Sequence, residues 1–205
     1  SLQLMQPKGA IYSVFPTSWP AVNNGYNQAQ VSMIVVDGLK IFAYQNTVTA
    51  EVRYTVQDVL TQTLLVSDAL VSAGAQSPKL ANIGSDVFII YGSGANLEYK
   101  RIITTNPSEL SSATNLALNF STVYGNIQTV STGTKIVVAY CNTNAGQQLS
   151  LVSVGLNNIP STIIDFLGEN PTGALDMQIT STGRLLVSWS SATEVKYMLY
   201  SANLL

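Results

Sequence analysis

The chain of 205 residues contains no histidine and a single cysteine, Cys141. Within these residues, the lack of histidine excludes a Ser-His-Asp or Cys-His nucleophile and a histidine-ligated zinc site. Cys141 cannot form an internal disulfide, and it follows an apolar run in which a small hydrophobic side chain fits. We therefore predict that Cys141 is buried rather than reactive, and we predict no metal, no cofactor and no catalytic residue.

Charge is also scarce. Only 10% of the residues are charged, with 9 basic and 11 acidic side chains and a formal net charge of -2. Nucleic-acid binding usually requires a basic stripe, so no nucleic-acid partner is predicted. The apolar runs are far shorter than the roughly 20 residues of a membrane span, and the N-terminus lacks the segments of an export signal. We predict a soluble chain without membrane insertion and without a visible signal peptide.

What the sequence does contain is a repeat. A glycine turn, an apolar run and a closing aromatic residue occur four times, in VVDGLKIFAY (35–44), NIGSDVFIIY (82–91), STGTKIVVAY (131–140) and STGRLLVSW (181–189). The glycines are 46, 49 and 50 residues apart, and the aromatic residues are 47, 49 and 49 residues apart. One β-rich run precedes each turn and another follows each aromatic residue, and a fourth run closes the first three units. The sequence therefore predicts three or four strands per unit.

The runs after the glycine turns are apolar on both faces of the strand, as in KIVVAYC (135–141), so each sheet needs a covering layer on both sides. Four-stranded sheets at a period of ~40–50 residues are typical of β-propellers. We predict an all-β fold, a four-bladed β-propeller or a segment of a larger propeller, whereas a β-sandwich would give no reason for the repeat.

The predicted domain organisation has two parts. Residues 28–205 form four propeller repeats, at about 28–75, 76–122, 123–170 and 171–205. Residues 1–27 belong to no repeat, and their strand-like run AIYSVF (10–15) is predicted to complete the last blade, which lacks a fourth run. Two connector segments, VQDVLTQTLL (56–65) and NPSELSSAT (106–114), have weak helical features and are interpreted as loops.

Enzymatic activity on sugars requires only two carboxylates and has to be considered for a propeller. Among the acidic residues, Asp37 and Asp86 flank glycine turns and Asp58 and Glu109 fall in connectors, so no pair stands out. We therefore predict that the chain is not an enzyme.

Three aromatic residues outside the repeated runs are candidate ligand-binding residues. Trp19 and Tyr26 lie in the segment FPTSWPAVNNGYNQ (15–28), and Tyr124 lies in the connector between the second and third repeats. An exposed aromatic ring can stack on a sugar or anchor a protein partner. The alternative is that Trp19 covers one end of the ring. The aromatic residues that close the four runs recur with the blade and are predicted to be packing residues.

The segment SPKLANIGSDVFIIYGSGANLEYKRI (77–102) resembles the propeller portions of tail nozzle (tail tubular) proteins of short-tailed bacteriophages, in rhythm and in low charge. The resemblance implies a virion component whose partners are other protein subunits of a virion assembly. The functional prediction is a non-enzymatic structural and interaction module that acts as a spacer or docking surface. The alternative is a glycan-binding propeller, a lectin or receptor-recognition domain whose partner is a cell-surface glycan.

The segments that follow the closing aromatic residues distinguish these two functions. They are QNTVTA, GSGA, CNTNAG and SSATE, and they share no pattern. A lectin built from equivalent blades should repeat its binding residues with the blade. The irregularity favours one unique interface over several equivalent sugar pockets.

Overall fold

The structure is a computed structural model that describes residues 28–123, 126–143 and 148–201. These residues form four antiparallel sheets, which we call blades 1 to 4, and the chain completes one blade before it begins the next. In three blades the strands pair in chain order, whereas in the second blade the first four strands do so and a fifth pairs with the third. The described ranges contain no helix, and so none long and apolar enough to cross a membrane.

The strands of each blade are as follows. Blade 1 contains β1 (Gln28–Val36), β2 (Leu39–Asn46), β3 (Glu51–Asp58) and β4 (Leu64–Ala73). Blade 2 contains β5 (Ala75–Ile83), β6 (Asp86–Ser93), β7 (Asn96–Ile103), β8 (Asn106–Leu110) and β9 (Thr114–Leu118). Blade 3 contains β10 (Ile127–Ser131), β11 (Lys135–Asn142), β12 (Gln148–Gly155) and β13 (Ile164–Phe166). Blade 4 contains β14 (Leu175–Ile179), β15 (Arg184–Ser190) and β16 (Val195–Ser201).

The repeated glycines lie in the turn that joins the first and second strands of each blade. Gly38, Gly84, Gly133 and Gly183 all have positive φ angles, between 57° and 91°. Glycine adopts this left-handed conformation without the steric cost that a Cβ atom adds. The turn chemistry therefore explains why glycine returns at this point of every repeat.

The second strands of blades 2 and 3 are covered on both faces. In β11, Ile136 belongs to the core between blades 2 and 3, and Val137 belongs to the core between blades 3 and 4. Both side chains are 0% exposed. A third core lies between blades 1 and 2. The prediction that both faces of this strand are concealed is confirmed.

The blades thus stack in chain order, and each of the three cores joins two consecutive blades. At the two ends of the stack, Val31, Met33 and Val35 of β1 and Val195, Tyr197 and Leu199 of β16 are all more than half exposed. The described residues therefore form an open propeller. The prediction of an all-β propeller or propeller segment is confirmed, whereas the predicted strand at residues 10–15 lies outside the described residues.

One strand was not expected from the sequence. Residues 106–110, interpreted as part of a loop with a helical turn, form β8, which pairs with the end of β7. The following strand β9 pairs with the beginning of β7, so β8 and β9 together occupy the outer edge of blade 2. Pro107 favoured a turn, but proline is tolerated on an edge strand, where no partner strand needs its missing N–H group.

We expect the replacement Ile136→Ala to lower the free energy of unfolding by about 2–5 kcal/mol, because it opens a cavity between two blades. Ile103→Ala is the matched control, since Ile103 is 47% exposed on β7. Its effect should stay within about 0.5 kcal/mol. Urea unfolding followed by circular dichroism measures both variants, and equal losses of stability would contradict the stacked packing.

Cys141 is fully buried, as predicted. Burial raises the pKa of its thiol to about 11, although a hydrogen bond with Ser121 acts to lower that pKa. We expect the native protein to resist a thiol-specific disulfide reagent at about pH 8 and the urea-unfolded protein to react fully. Because the thiolate is disfavoured in the folded state, stability should fall as the pH rises above the unfolded thiol's pKa of about 8.5. Rapid labelling of the folded protein would contradict this prediction.

Candidate functional site: a polar pocket on the inner strands

The first strands of the four blades, β1, β5, β10 and β14, lie next to one another along the propeller axis. They belong to different sheets, and side chains connect them in place of a backbone ladder. The Oγ of Ser32 accepts a hydrogen bond from the backbone N–H of Leu80 at 3.0 Å, and Thr129 Oγ1 donates to the Leu80 carbonyl at 3.3 Å. Gln128 Nε2 donates to the Leu175 carbonyl at 2.7 Å. The bonded residues are 47 to 49 positions apart, so each bond joins neighbouring repeats.

Two of these inner strands are irregular at the same place. The pairing of β1 with β2 shifts register between Ala29 and Ser32, and the pairing of β5 with β6 shifts between Gln76 and Lys79. Within these bulges, Gln30 and Ser77 have φ angles of 52° and 56°. Residues other than glycine adopt such angles at a cost of about 1–3 kcal/mol, and both strained residues and bulges are common at functional sites. The irregularity therefore makes this end of the inner strands a candidate functional site.

A cavity of about 90 Å³ lies beside the two bulges. Three blades contribute to it, and we call it the axial pocket; its lining residues are Gln30, Ser77, Lys79, Asn126, Ile127 and Gln128. Five of the six side chains are polar. Asn126 Nδ2 donates to the carbonyl of Gly173 and Gln128 Nε2 to that of Leu175, so two of the polar side chains are held in place by blade 4.

Ser77 and Lys79 have unused hydrogen-bonding capacity. Ser77 is 3% exposed, and its Oγ has no hydrogen-bond partner among the described residues. A buried hydroxyl without a partner costs about 1–3 kcal/mol, so such a group is expected to have a role. Within the described ranges no carboxylate forms an ion pair with Lys79. Burial lowers the pKa of the Lys79 ammonium, and the more distant Asp176 carboxylate on β14 raises it.

The residues predicted to bind a ligand are not in this pocket. Trp19, Tyr26 and Tyr124 all lie outside the described residues. The aromatic residues that close the repeated runs are packing residues, as predicted: Tyr44, Tyr91, Tyr140 and Trp189 are all buried. Sequence reasoning missed the axial pocket. A signal was available, because Lys79 and Asp176 are the charged residues on the four first strands.

Two of the acidic residues weighed in the sequence, Asp58 and Asp86, are engaged in local structure. Asp86 forms an ion pair with Arg101 on the neighbouring strand. Asp58 Oδ1 accepts hydrogen bonds from the backbone N–H groups of Leu60 and Thr61, at 2.9 and 2.6 Å, and stabilises the turn after β3. Among the described residues, no three cysteine or acidic side chains gather as a metal site.

Comparison with known proteins identifies similar folds. The chain matches no protein-family model and no curated protein sequence. Among solved structures, it is similar to the α-L-arabinofuranosidase from Podospora anserina solved with cellotriose, with a TM-score of 0.54, 10% identity, and coverage of 87% of this chain and 65% of that one. A thermostable family-43 glycoside hydrolase gives a TM-score of 0.53 and 8% identity over 86% of this chain and 73% of the hydrolase.

A third match is an ulvan lyase solved with a glucuronate–rhamnose-3-sulfate oligosaccharide, with a TM-score of 0.58 and 11% identity over 85% of this chain and 48% of the lyase. This chain therefore spans about half of the lyase and 65% of the arabinofuranosidase. The glycoside hydrolases are five-bladed β-propellers, and the described residues here form four blades of that fold.

These matches contradict two predictions. The chain was expected to be a non-enzymatic structural module of a virion tail, but the solved structures that share its fold are carbohydrate-active enzymes. The same matches contradict the expectation that the chain is not an enzyme. That expectation rested on the positions of carboxylates in the sequence and not on the fold. The resemblance to phage tail nozzle proteins stays a prediction.

We expect the ammonium group of Lys79 to titrate below the usual lysine range, because burial disfavours its charged form. Asp176→Asn should lower this pKa further, since the carboxylate favours the charge. Asp37→Asn, in the turn at the other end of β1, is the matched control. NMR titration of the lysine side-chain signals measures both variants, and an unchanged Lys79 pKa in Asp176→Asn would contradict the placement of β14 beside the pocket.

Proposed function

We propose that this chain is a carbohydrate-binding β-propeller that recognises a polysaccharide at the axial pocket. The observation that carries the proposal is a pocket lined by polar side chains on the axis of a β-propeller. Solved structures with similar folds include an α-L-arabinofuranosidase, a xylan β-1,4-xylosidase and a polysaccharide lyase, the ulvan lyase.

The chemistry of the pocket suits a sugar. Sugar hydroxyl groups both donate and accept hydrogen bonds, and the pocket offers a serine hydroxyl, an ammonium group and three side-chain amides. Two amides are already oriented by their bonds to blade 4, so binding costs little side-chain entropy. Gln30 is exposed at the rim and contributes to no apolar core, so it can be replaced without opening a cavity.

Binding is tested with a panel of plant and algal polysaccharides by isothermal titration calorimetry, with a reducing-end assay on each mixture to detect cleavage. We expect at least one polysaccharide to bind, and Gln30→Ala to weaken that binding about 3- to 10-fold, the worth of one hydrogen bond. Gln57→Ala, on β3 and away from the axis, is the matched control and should bind as the unmodified protein does. Failure of every polysaccharide to bind would contradict the proposal.

A further inference from the structure

We infer that the axial pocket accepts an anionic group of an acidic polysaccharide, a uronate carboxylate or a sulfate ester, with Lys79 as its counter-ion and the Ser77 hydroxyl as a hydrogen-bond donor. The inference rests on the proposed function and names the class of sugar that the pocket selects.

No ion pair with a described residue compensates the charge at the pocket. Lys79 lines the cavity and is partly buried, and it forms no ion pair with any described residue. A buried cation is normally paired, because removing its hydration shell is costly. The Asp176 carboxylate acts on Lys79 only from a distance, and Asp176 itself is exposed. A bound anion would supply the contact that the protein does not.

The neutral groups around Lys79 are of the kind that an anion needs. The Ser77 Oγ is buried and has no described partner, so its O–H can donate to an oxygen of the ligand. Ser77 lines the same cavity as Lys79, and the bulge at Ser77 places both side chains there. Hydrogen bonds to an ionised acceptor are roughly twice as strong as neutral ones.

The size of the cavity limits what enters it. A volume of about 90 Å³ is well below the 300–1,000 Å³ of a pocket that encloses a whole small-molecule ligand. A carboxylate or sulfate group fits this space while the sugar ring that carries it stays outside. The pocket therefore suits a charged substituent of a polymer better than a free neutral sugar.

Because the chain is acidic overall, binding of an anionic polymer depends on Lys79. The chain has a net charge of -2, so the protein as a whole gives an anionic polymer no general attraction. Binding of an acidic polysaccharide then depends on a local cation. Lys79 and Asp176 are the charged residues on the four inner strands, and Lys79 is the cation.

The test compares polymers that differ in charge but share a backbone. Binding of polygalacturonate is measured against its fully methyl-esterified form, and a sulfated galactan against its desulfated form. We expect the anionic member of at least one pair to bind ~10-fold or more tightly than its neutral partner, with the advantage lost as salt is added. The two pairs distinguish a carboxylate from a sulfate.

The variants locate the effect. Lys79→Gln should reduce the affinity for the anionic polymer about 10- to 100-fold and the affinity for its neutral partner by a much smaller factor, so that the preference for the anionic polymer is lost. Lys135→Gln is the matched control, because it makes the same change in charge at the opposite end of blade 3 and should have no effect. Ser77→Ala should weaken anion binding to a smaller extent, and melting temperatures verify that each variant is folded.

The outcomes separate the inference from the proposed function. Equal binding of neutral and anionic polymers, or an unchanged affinity in Lys79→Gln, overturns the inference while the proposed function stands. Binding of no polysaccharide of either kind overturns both. Binding of an acidic peptide with the same dependence on Lys79, without binding of any glycan, also overturns both, since it assigns the pocket to a protein partner.

Discussion

The fold depends on strands that are apolar on both faces. In β11, Ile136 faces blade 2 and Val137 faces blade 4, and neither is accessible to water. Burying one such side chain fully contributes about 1.5–3 kcal/mol. Because the two side chains point to opposite faces, both contributions are obtained only when a layer covers each face. Each blade therefore needs neighbours, and the same requirement explains why an apolar run follows every glycine turn. The stack, the axis and the order of the blades all follow from this constraint.

The axis is a consequence of that stacking. The first strands of consecutive blades approach one another without sharing a sheet, so their backbone groups cannot form a continuous ladder. Side chains such as Ser32, Gln128 and Thr129 form the connecting hydrogen bonds instead. At one end of the axis, bulges interrupt β1 and β5, and polar side chains surround a small cavity there. Gln30 and Ser77 in these bulges adopt positive φ angles that a regular strand avoids.

The electrostatics of the pocket differ from those of the rest of the molecule. Ion pairs elsewhere join side chains of one blade or of its edge, such as Lys196 with Glu169 and Arg53 with Glu51. Lys79 instead lies on the axis of an acidic chain and forms no ion pair with any described residue. A positive charge in this location gains most from a ligand that brings its own negative charge, as the proposed acidic polysaccharide does.

The sequence determined the local structure because its signals are local. Periodic glycines specified the turns, runs apolar on both faces specified buried strands, and their spacing specified the repeat, so the burial of Ile136, Val137 and Cys141 could be predicted. The strand β8 was missed because its polar composition and Pro107 indicate a turn as readily as an edge strand. The axial pocket was missed for a different reason: its residues lie in three repeats, and Gln30, Ser77 and Asn126 are separated by 47 and 49 positions in the chain. Only the tertiary structure decided which side chains share the axis, because packing between blades sets the alignment of strands that do not pair with one another.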